Sequence, residues 1–336
     1  MPLSASIIIG TYNRRQILMR TLASLDQQSA PKNLYEVVVV IDGSTDGTLE
    51  SVSNLHTTYR LHTIYSENKG SGAAYNLAAQ HAKNDVLIIL GDDQLCTPDL
   101  VLAHLFAHER RERLFVQGFY PVAREYLNGG ASLLYDRTYR SAMAEAERQY
   151  RQGKTWGIWG GNCSLRAETW HEVEGVDNWQ FRGYGYEDTD LCLRVAALGV
   201  PFHYEPRACS FHMHECSPRS MARQAYEAGR AHVALTQRHP VLFESRNVTD
   251  ARGKVDSAVL WAWRRGPRAM RAAGDAATAG LRIADRLPFE SLQLLAARVV
   301  RKLHEAGGTI AGLEERDLQQ KHEVSHGTAS VVGPDD

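Results

Sequence analysis

Short apolar runs recur through the first hundred residues, and each gives way to a polar loop. Ala5 to Ile9 (ASIII), Tyr35 to Ile41 (YEVVVVI) and Val86 to Leu90 (VLIIL) are aliphatic and largely β-branched. Runs without alternation are the pattern of strands covered on both faces in a parallel sheet. Leu61 to Tyr65 reads as a further strand. Between these runs the apolar spacing becomes helical, in QILMRTLASLDQQ, in DGSTDGTLESVSNL with Ser44, Thr45 and Asp46 as caps, and in the alanine-rich SGAAYNLAAQHA. Strands alternating with helices at this spacing predict an α/β domain with a mainly parallel sheet and right-handed crossovers.

The pattern changes further on. EDTDLCLRVAALG has helical spacing, with Leu191, Val195 and Leu198 on the apolar side and Glu187, Asp188 and Asp190 around the first turn. ACSFHMH alternates, so a strand there puts His212 and His214 on one face and Cys209, Phe211 and Met213 on the other. That geometry argues against a four-ligand zinc site from Cys209, His212, His214 and Cys216. SPRSMARQAYEAGRAHVALTQRHP is helical and basic, and the composition shifts to Ala and Arg between Asn247 and Gly308, again with helical spacing. The polar end of the chain, from 317 to 336, reads as a disordered tail.

Composition bounds the function class. The 336 residues carry a formal net charge of −1, which gives no electrostatic reason to expect a nucleic-acid partner. Met1 to Gly10 is too short and lacks the basic start of a signal peptide, so it reads as a strand. No run has the apolar length to span a bilayer. The cysteines are odd in number and contain no CxxC pair, which fits a reduced, cytoplasmic chain.

The chemistry gathers at the ends of these elements. Asp92 and Asp93 follow the strand Val86 to Leu90 directly, at the sheet edge where open α/β folds bind ligands, and hard carboxylate oxygens there suit a divalent cation. Gly70 and Gly72 match two positions of GxGxxG, but Tyr75 occupies the third and excludes the dinucleotide fingerprint. Helix-entry flexibility is the plainer role for Gly70, a phosphate contact the alternative. Trp156, Trp159 and Tyr184 are aromatics that could stack on a sugar ring, Gly160 and Gly161 would admit a ligand close to the backbone, and Asn162 is a plausible donor-sugar ligand. Trp261, Trp263, Arg264, Arg265, Arg268 and Arg271 cluster in the C-terminal helical region. A solvated helical appendage is one reading of them, and a peripheral membrane contact at the inner face of the membrane is the other.

Taken together, GTYNR, IDGSTDGT, ENKGSGAAYN and LIILGDDQLCTPDL resemble the nucleotide-binding half of the family-2 inverting glycosyltransferases of GT-A fold. WGGNCSLRAETWHEVEGVDNWQFRGYGYEDTDLCLRV is similar to the acceptor-side half, in its galactosyltransferase-like form. The resemblance implies a GT-A domain over 1–240, with a nucleotide-sugar half at 1–100 and an acceptor half at 101–240, followed by a helical extension at 241–316. It implies that Thr11 and Asp42 contact the nucleotide, with Asn13, Arg14, Asn68, Gly70, Asn76 and Asp92 in the same donor site and Trp159, Gly161, Asn162 and Tyr184 beside the sugars.

Asp93 corresponds to the second aspartate of the family's DxD motif and would hold Mn²⁺ or Mg²⁺, with His212, or His214 in its place, completing the metal site. Gly91 stands where the first aspartate usually sits, and Ile41 where the residue before Asp42 is often a second one. Asp188 corresponds to the catalytic base, with Glu187 beside it. The implied activity is metal-dependent inverting transfer from a nucleoside diphosphate sugar, UDP-sugars favoured, to a glycan, lipid-linked or small-molecule acceptor. The alternative is a sugar-nucleotide-binding or scaffolding protein without turnover.

Overall fold

The computed structural model describes residues 2–152, 160–177, 185–240 and 254–327. The chain divides into two compact units, the first ending at Glu215 and the second beginning at Cys216, with 129–131 and the described part of 183–186 grouped with the second.

The first unit is built on an eight-stranded sheet. In chain order its strands are β1 (Ala5–Thr11), β2 (Tyr35–Asp42), β3 (Arg60–Ser66), β4 (Val86–Leu90), β5 (Gln94–Cys96), β6 (Phe115–Phe119), β7 (Asn162–Arg166) and β8 (Phe202–His212), and across the sheet they run β3-β2-β1-β4-β7-β6-β8-β5. The first four are mutually parallel, as the uninterrupted apolar runs predict. β7 then enters antiparallel to both β4 and β6, and β5 antiparallel to β8, so the acceptor-side half of the sheet is mixed.

The helices of this unit are α1 (Arg15–Asp26), α2 (Thr48–Ser53), α3 (Ser71–His81), α4 (Leu100–Glu109), α5 (Gly130–Arg151), α6 (Ala167–Glu172) and α7 (Glu187–Ala197). Strand periodicity sorts the core into two layers. Ile7, Ile9, Val37, Val39, Ile88 and Leu90 pack with Leu18, Leu22 and Leu25 of α1 and Leu100, Val101 and Leu105 of α4. Ile8, Val38, Val40, Leu87 and Ile89 face the other way, onto Ala74, Ala78 and Ala79 of α3 and Leu191 and Val195 of α7. Burying each such aliphatic side chain contributes roughly 1.5–3 kcal/mol, so the edge where β1, β2 and β4 end is a rigid platform.

Between α4 and β7 the core turns polar. His104 and His108 lie one helical turn apart on α4, fully buried, and face Asn162 and Ser164, alternate residues of β7. Burial holds His104 down to about 4 and His108 down to about 3. Because these folded-state values lie below the unfolded one, the unfolded chain binds more protons as pH falls below 6.5, and stability is lost in that direction. The expected loss is up to about 1.4 kcal/mol per pH unit per histidine. Urea unfolding measured from pH 7 down to pH 4 checks it, and a flat stability over that range would contradict it.

The second unit is helical: α8 (Pro218–Arg238), α9 (Lys254–Arg265), α10 (Pro267–Ala284) and α11 (Glu290–Gly327). Ser217 caps α8 by accepting from Ser220 N. Gly229 of α8 and Gly308 of α11 have no room for a Cβ, because the backbones of Glu305 and Tyr226 respectively lie against them. Leu260 and Trp263 of α9 pack on Ala306 and Ile310 of α11, and the Trp263 indole donates to Leu303 O at 3.0 Å. Two expectations change here. α8 groups with the C-terminal helices, so the compact first unit ends before residue 240, and the tail expected from 317 is helical as far as Gly327.

Candidate active site

β4 ends at Leu90, and Asp92 and Asp93 turn the chain into β5. β5 pairs with β8 so that Gln94 lies opposite His212, and this register sets Asp93 beside the last residue of β8. His212 Nε2 is 3.1 Å from Asp93 Oδ2, while Nδ1 of the same ring is buried with no hydrogen-bond partner among the described residues. Arg14, from the loop after β1, spans both carboxylates, with Nη1 donating to Asp92 at 2.9 Å and Nη2 to Asp93 at 2.8 Å. Thr11 donates its hydroxyl to Asp92 at 2.7 Å.

Burial opposes ionisation of both acids. For Asp92 it prevails and raises the carboxyl; for Asp93 it is overcome by His212 and Arg14, which hold the carboxyl well below its ordinary value. Gly91 fits this crowding, since a Cβ there would come within 2.9 Å of Asp93 Oδ1. The position where the family usually carries another aspartate is filled by the Asp93 carboxylate itself.

The strand expected to run through His214 stops two residues earlier, at His212. The His214 ring stacks on Tyr135 at 4.2 Å and sits 4.7 Å from the ring of His212, so the two histidines do share a face. Among the described residues no three His, Cys, Asp or Glu side chains are gathered as a metal site, and Arg14 is paired with both carboxylates. Asp93 and His212 nevertheless suit a divalent cation, since they offer a carboxylate oxygen and an imidazole nitrogen, and such ions take one or two protein ligands together with substrate phosphates.

The second acidic centre is Asp188, in the first turn of α7 after Glu187. Its Oδ2 accepts from Gly160 N at 3.0 Å and its Oδ1 from Thr189 N at 2.7 Å. Burial outweighs these hydrogen bonds and raises its carboxyl. Gly91 N donates to Gly161 O at 3.0 Å, so the Gly160–Gly161 turn is tied to the aspartate turn on one side and to Asp188 on the other. Gly161 must be glycine, since a Cβ would come within 2.7 Å of the Tyr120 ring. Asp190, next along α7, is fully buried and paired with Arg194 at 2.8 Å, a structural role.

Residues 6–172 match glycosyl transferase family 2, and residues 140–215 match the N-terminal domain of galactosyltransferase. The chain carries a glycosyl transferase family 2 domain. Among similar curated proteins are an uncharacterized glycosyltransferase YfnE of Bacillus subtilis, 38% identical over 35% of this chain and 30% of its own length, and a validoxylamine A glucosyltransferase of Streptomyces hygroscopicus, 30% identical over 58% and 52%. This chain therefore spans about half or less of the length of these relatives. The mannosyltransferase PcManGT of Pyrobaculum calidifontis, solved with GDP-Man and Mn²⁺, superposes with a TM-score of 0.64 at 19% identity, over 92% of this chain and 88% of that one. The fold is thus that of the GT-A glycosyltransferases.

Within the family-2 domain the other expected donor ligands fall into three groups. Asp42, at the end of β2, accepts from Lys69 N at 3.0 Å and Gly70 N at 2.8 Å, and Gly70 has the positive φ of 95° that only glycine adopts freely. Asn13 accepts from Thr45 N at 2.7 Å, and Asn68 packs against Gly43, so both belong to the same loop edge. Asn76 is part-buried and holds the Val176 backbone through both ends of its amide, at 2.7 and 2.9 Å, whereas Asn162 is fully buried between His104 and Ala208, away from any sugar. Trp156, Trp159, Gly183 and Tyr184 lie outside the described residues.

Gln94, His104, Tyr120 and Ser210 also line this region and are not among the site residues expected from the sequence. A signal was present for one of them: His104 and His108 form an i, i+4 pair in LVLAHLFAHE, which is apolar apart from them and its last residue, Glu109.

Proposed function

We propose that this domain is a metal-dependent inverting glycosyltransferase, which moves a sugar from a nucleoside diphosphate sugar to an acceptor hydroxyl. The observation that carries the proposal is the pair of acidic centres, Asp92–Asp93 and Asp188, tied to opposite sides of one glycine turn. Asp188 takes the acceptor's hydroxyl proton, the freed oxygen attacks the anomeric carbon, and the nucleoside diphosphate leaves with the bonding pair. One displacement inverts the anomeric centre. Asp93 and His212 would hold Mn²⁺ or Mg²⁺, and the ion when bound neutralises the charge growing on the diphosphate. Thr11 holds Asp92, Arg14 adds a positive charge beside the phosphates, and the Asp42 loop with Asn13, Asn68 and Gly70 forms the nucleoside side of the site.

UDP-sugars are the first donors to test, with glycan, lipid-linked and small-molecule acceptors. Donor hydrolysis and binding across a panel of nucleotide sugars, with Mn²⁺, with Mg²⁺ and with EDTA, should give one consumed donor only in the presence of metal. The double ion pair of Arg14 favours a second reading, donor binding without turnover, because the aspartates are already neutralised. Binding that ignores EDTA, with no donor consumed, would establish that reading instead.

We also propose a peripheral membrane contact for the helical unit. Among the described residues no helix is long and apolar enough to cross a membrane. Trp263, expected at such a surface, is buried in the helical core, but Trp261 is 60% exposed beneath the Arg265 guanidinium, and Phe289 and Leu295 are similarly exposed. An exposed tryptophan beneath an arginine suits an anionic lipid surface, and the exposed Phe289 and Leu295 add apolar area. The full chain should co-sediment with phosphatidylserine-containing vesicles and not with phosphatidylcholine alone; equal partition to both would remove the proposal.

A further inference from the structure

A line of buried polar side chains crosses the core of the first unit and ends on Asp93. His108 Nε2 is 2.9 Å from Ser164 Oγ, which is 2.8 Å from His104 Nδ1; His104 Nε2 is 2.9 Å from Asn162 Oδ1. Asn162 Nδ2 is 3.3 Å from Ser210 Oγ, Ser210 Oγ is 2.8 Å from Gln94 Oε1, and Gln94 Nε2 is 3.4 Å from Asp93 Oδ1. All seven residues are buried, most of them completely.

The direction of every donor in this line follows from two groups that can only accept. Asn162 Nδ2 also meets the Ala208 carbonyl at 2.9 Å, so the amide NH₂ faces that side and Oδ1 faces His104. His104 must then donate from Nε2, which in a neutral ring leaves Nδ1 to accept from the Ser164 hydroxyl. Ser164 in turn accepts from His108 Nε2. At the other end the Asp93 carboxylate can only accept, so the Gln94 NH₂ faces it and Gln94 Oε1 takes the Ser210 proton. Every donor therefore points the same way, from His108 towards Asp93. Burial keeps both histidines neutral, as this arrangement needs.

Gly118 of β6 leaves the space the line requires, because a Cβ there would come within 2.5 Å of Asn162 Nδ2. Hydrogen bonds aligned head to tail polarise one another, and each buried polar group left unmatched costs about 1–3 kcal/mol. Apolar side chains would fill this space at less risk to stability, so a relay that ends on the site's most strongly ionised carboxylate points to a role in the site.

We propose that His104 is a positioning residue for Asp93, acting through the one-way hydrogen-bond relay Asn162–Ser210–Gln94. Gln94 is the donor recorded at Asp93 Oδ1, whereas Arg14 and His212 both hold Oδ2. The relay thus holds the Asp93 side chain in one rotamer through the oxygen that the other two do not touch. The inference rests on the reading of Asp93 as the anchor of the donor's metal ion.

The test uses the full chain with His104→Leu, which removes the donor, and His104→Gln, whose amide can still donate to Asn162 and accept from Ser164. Two quantities are read: Mn²⁺ binding, from the free ion counted by electron paramagnetic resonance, and the Asp93 rotamer, from three-bond NMR couplings to its Cγ. His104→Leu is expected to weaken Mn²⁺ binding on the order of 10-fold and to average the Asp93 couplings, with both restored in His104→Gln. A folded His104→Leu with wild-type couplings and affinity overturns the proposal. If that variant does not fold, Ser210→Ala cuts the line between Asn162 and Gln94 with little loss of volume, and wild-type couplings there overturn it equally. Should the wild type bind no Mn²⁺, the metal-site reading fails by itself, and the couplings alone then decide whether His104 positions Asp93.

Discussion

Asp188→Asn is expected to abolish sugar transfer while leaving donor binding intact. The substitution keeps the size of the side chain and removes the group that accepts the acceptor's proton, a contribution of about 10²–10⁴-fold in turnover for a positioned base. It also changes the local hydrogen bonding. Oδ1 can still accept from Thr189 N, but an amide in place of Oδ2 would turn its N–H towards Gly160 N, at the cost of about 1 kcal/mol. The glycine turn should survive that loss, because Gly161 O remains bonded to Gly91 N. Product formation and the donor dissociation constant, measured side by side, separate the effects. Unchanged turnover would refute the assignment of Asp188 as base. In the wild type the raised Asp188 carboxyl must lose its proton to act, so activity should fall on acidification at a pH above the ordinary carboxylate value.

Asp93→Asn is expected to remove activity by a different route. Asp93 is the buried carboxylate that His212 and Arg14 both face, and Asp93→Asn removes the negative charge that they share. If it anchors the ion at the diphosphate, the loss should amount to several kcal/mol of transition-state stabilisation, on the order of 10³-fold in kcat/KM. Mn²⁺ should then no longer raise the melting temperature, and EDTA should have no further effect on residual activity. An Asp93→Asn protein that still binds Mn²⁺ as the wild type does would assign the metal elsewhere. The contrast with Asp188→Asn is diagnostic: one variant loses the ion, the other keeps it and loses the base.

The two centres were legible in the sequence to different degrees. Asp93 stands at the end of an unbroken aliphatic run, and a buried parallel strand must deliver its last residues to the sheet edge whatever the rest of the chain does. Asp188 sits among three acids at a helix start, where the helix dipole alone would favour them, and the resemblance to known glycosyltransferases was needed to single it out. Asn162 looked like a sugar ligand beside two glycines. It is instead buried, because β7 runs antiparallel between β4 and β6 and turns its alternate side chains onto α4.

By itself the sequence determined the parallel strands, the helices between them and the carboxylates at their ends, because each depends on the spacing of residues near one another along the chain. Only the tertiary structure decided that Arg14 reaches both aspartates, that His212 rather than His214 meets Asp93, that Trp261 faces outward while Trp263 is core, and that a one-way line of hydrogen bonds ends on Asp93. These pairings join residues up to 119 positions apart. They are set by strand order and register, and a shift of one residue in either would turn the partners to opposite faces of the sheet.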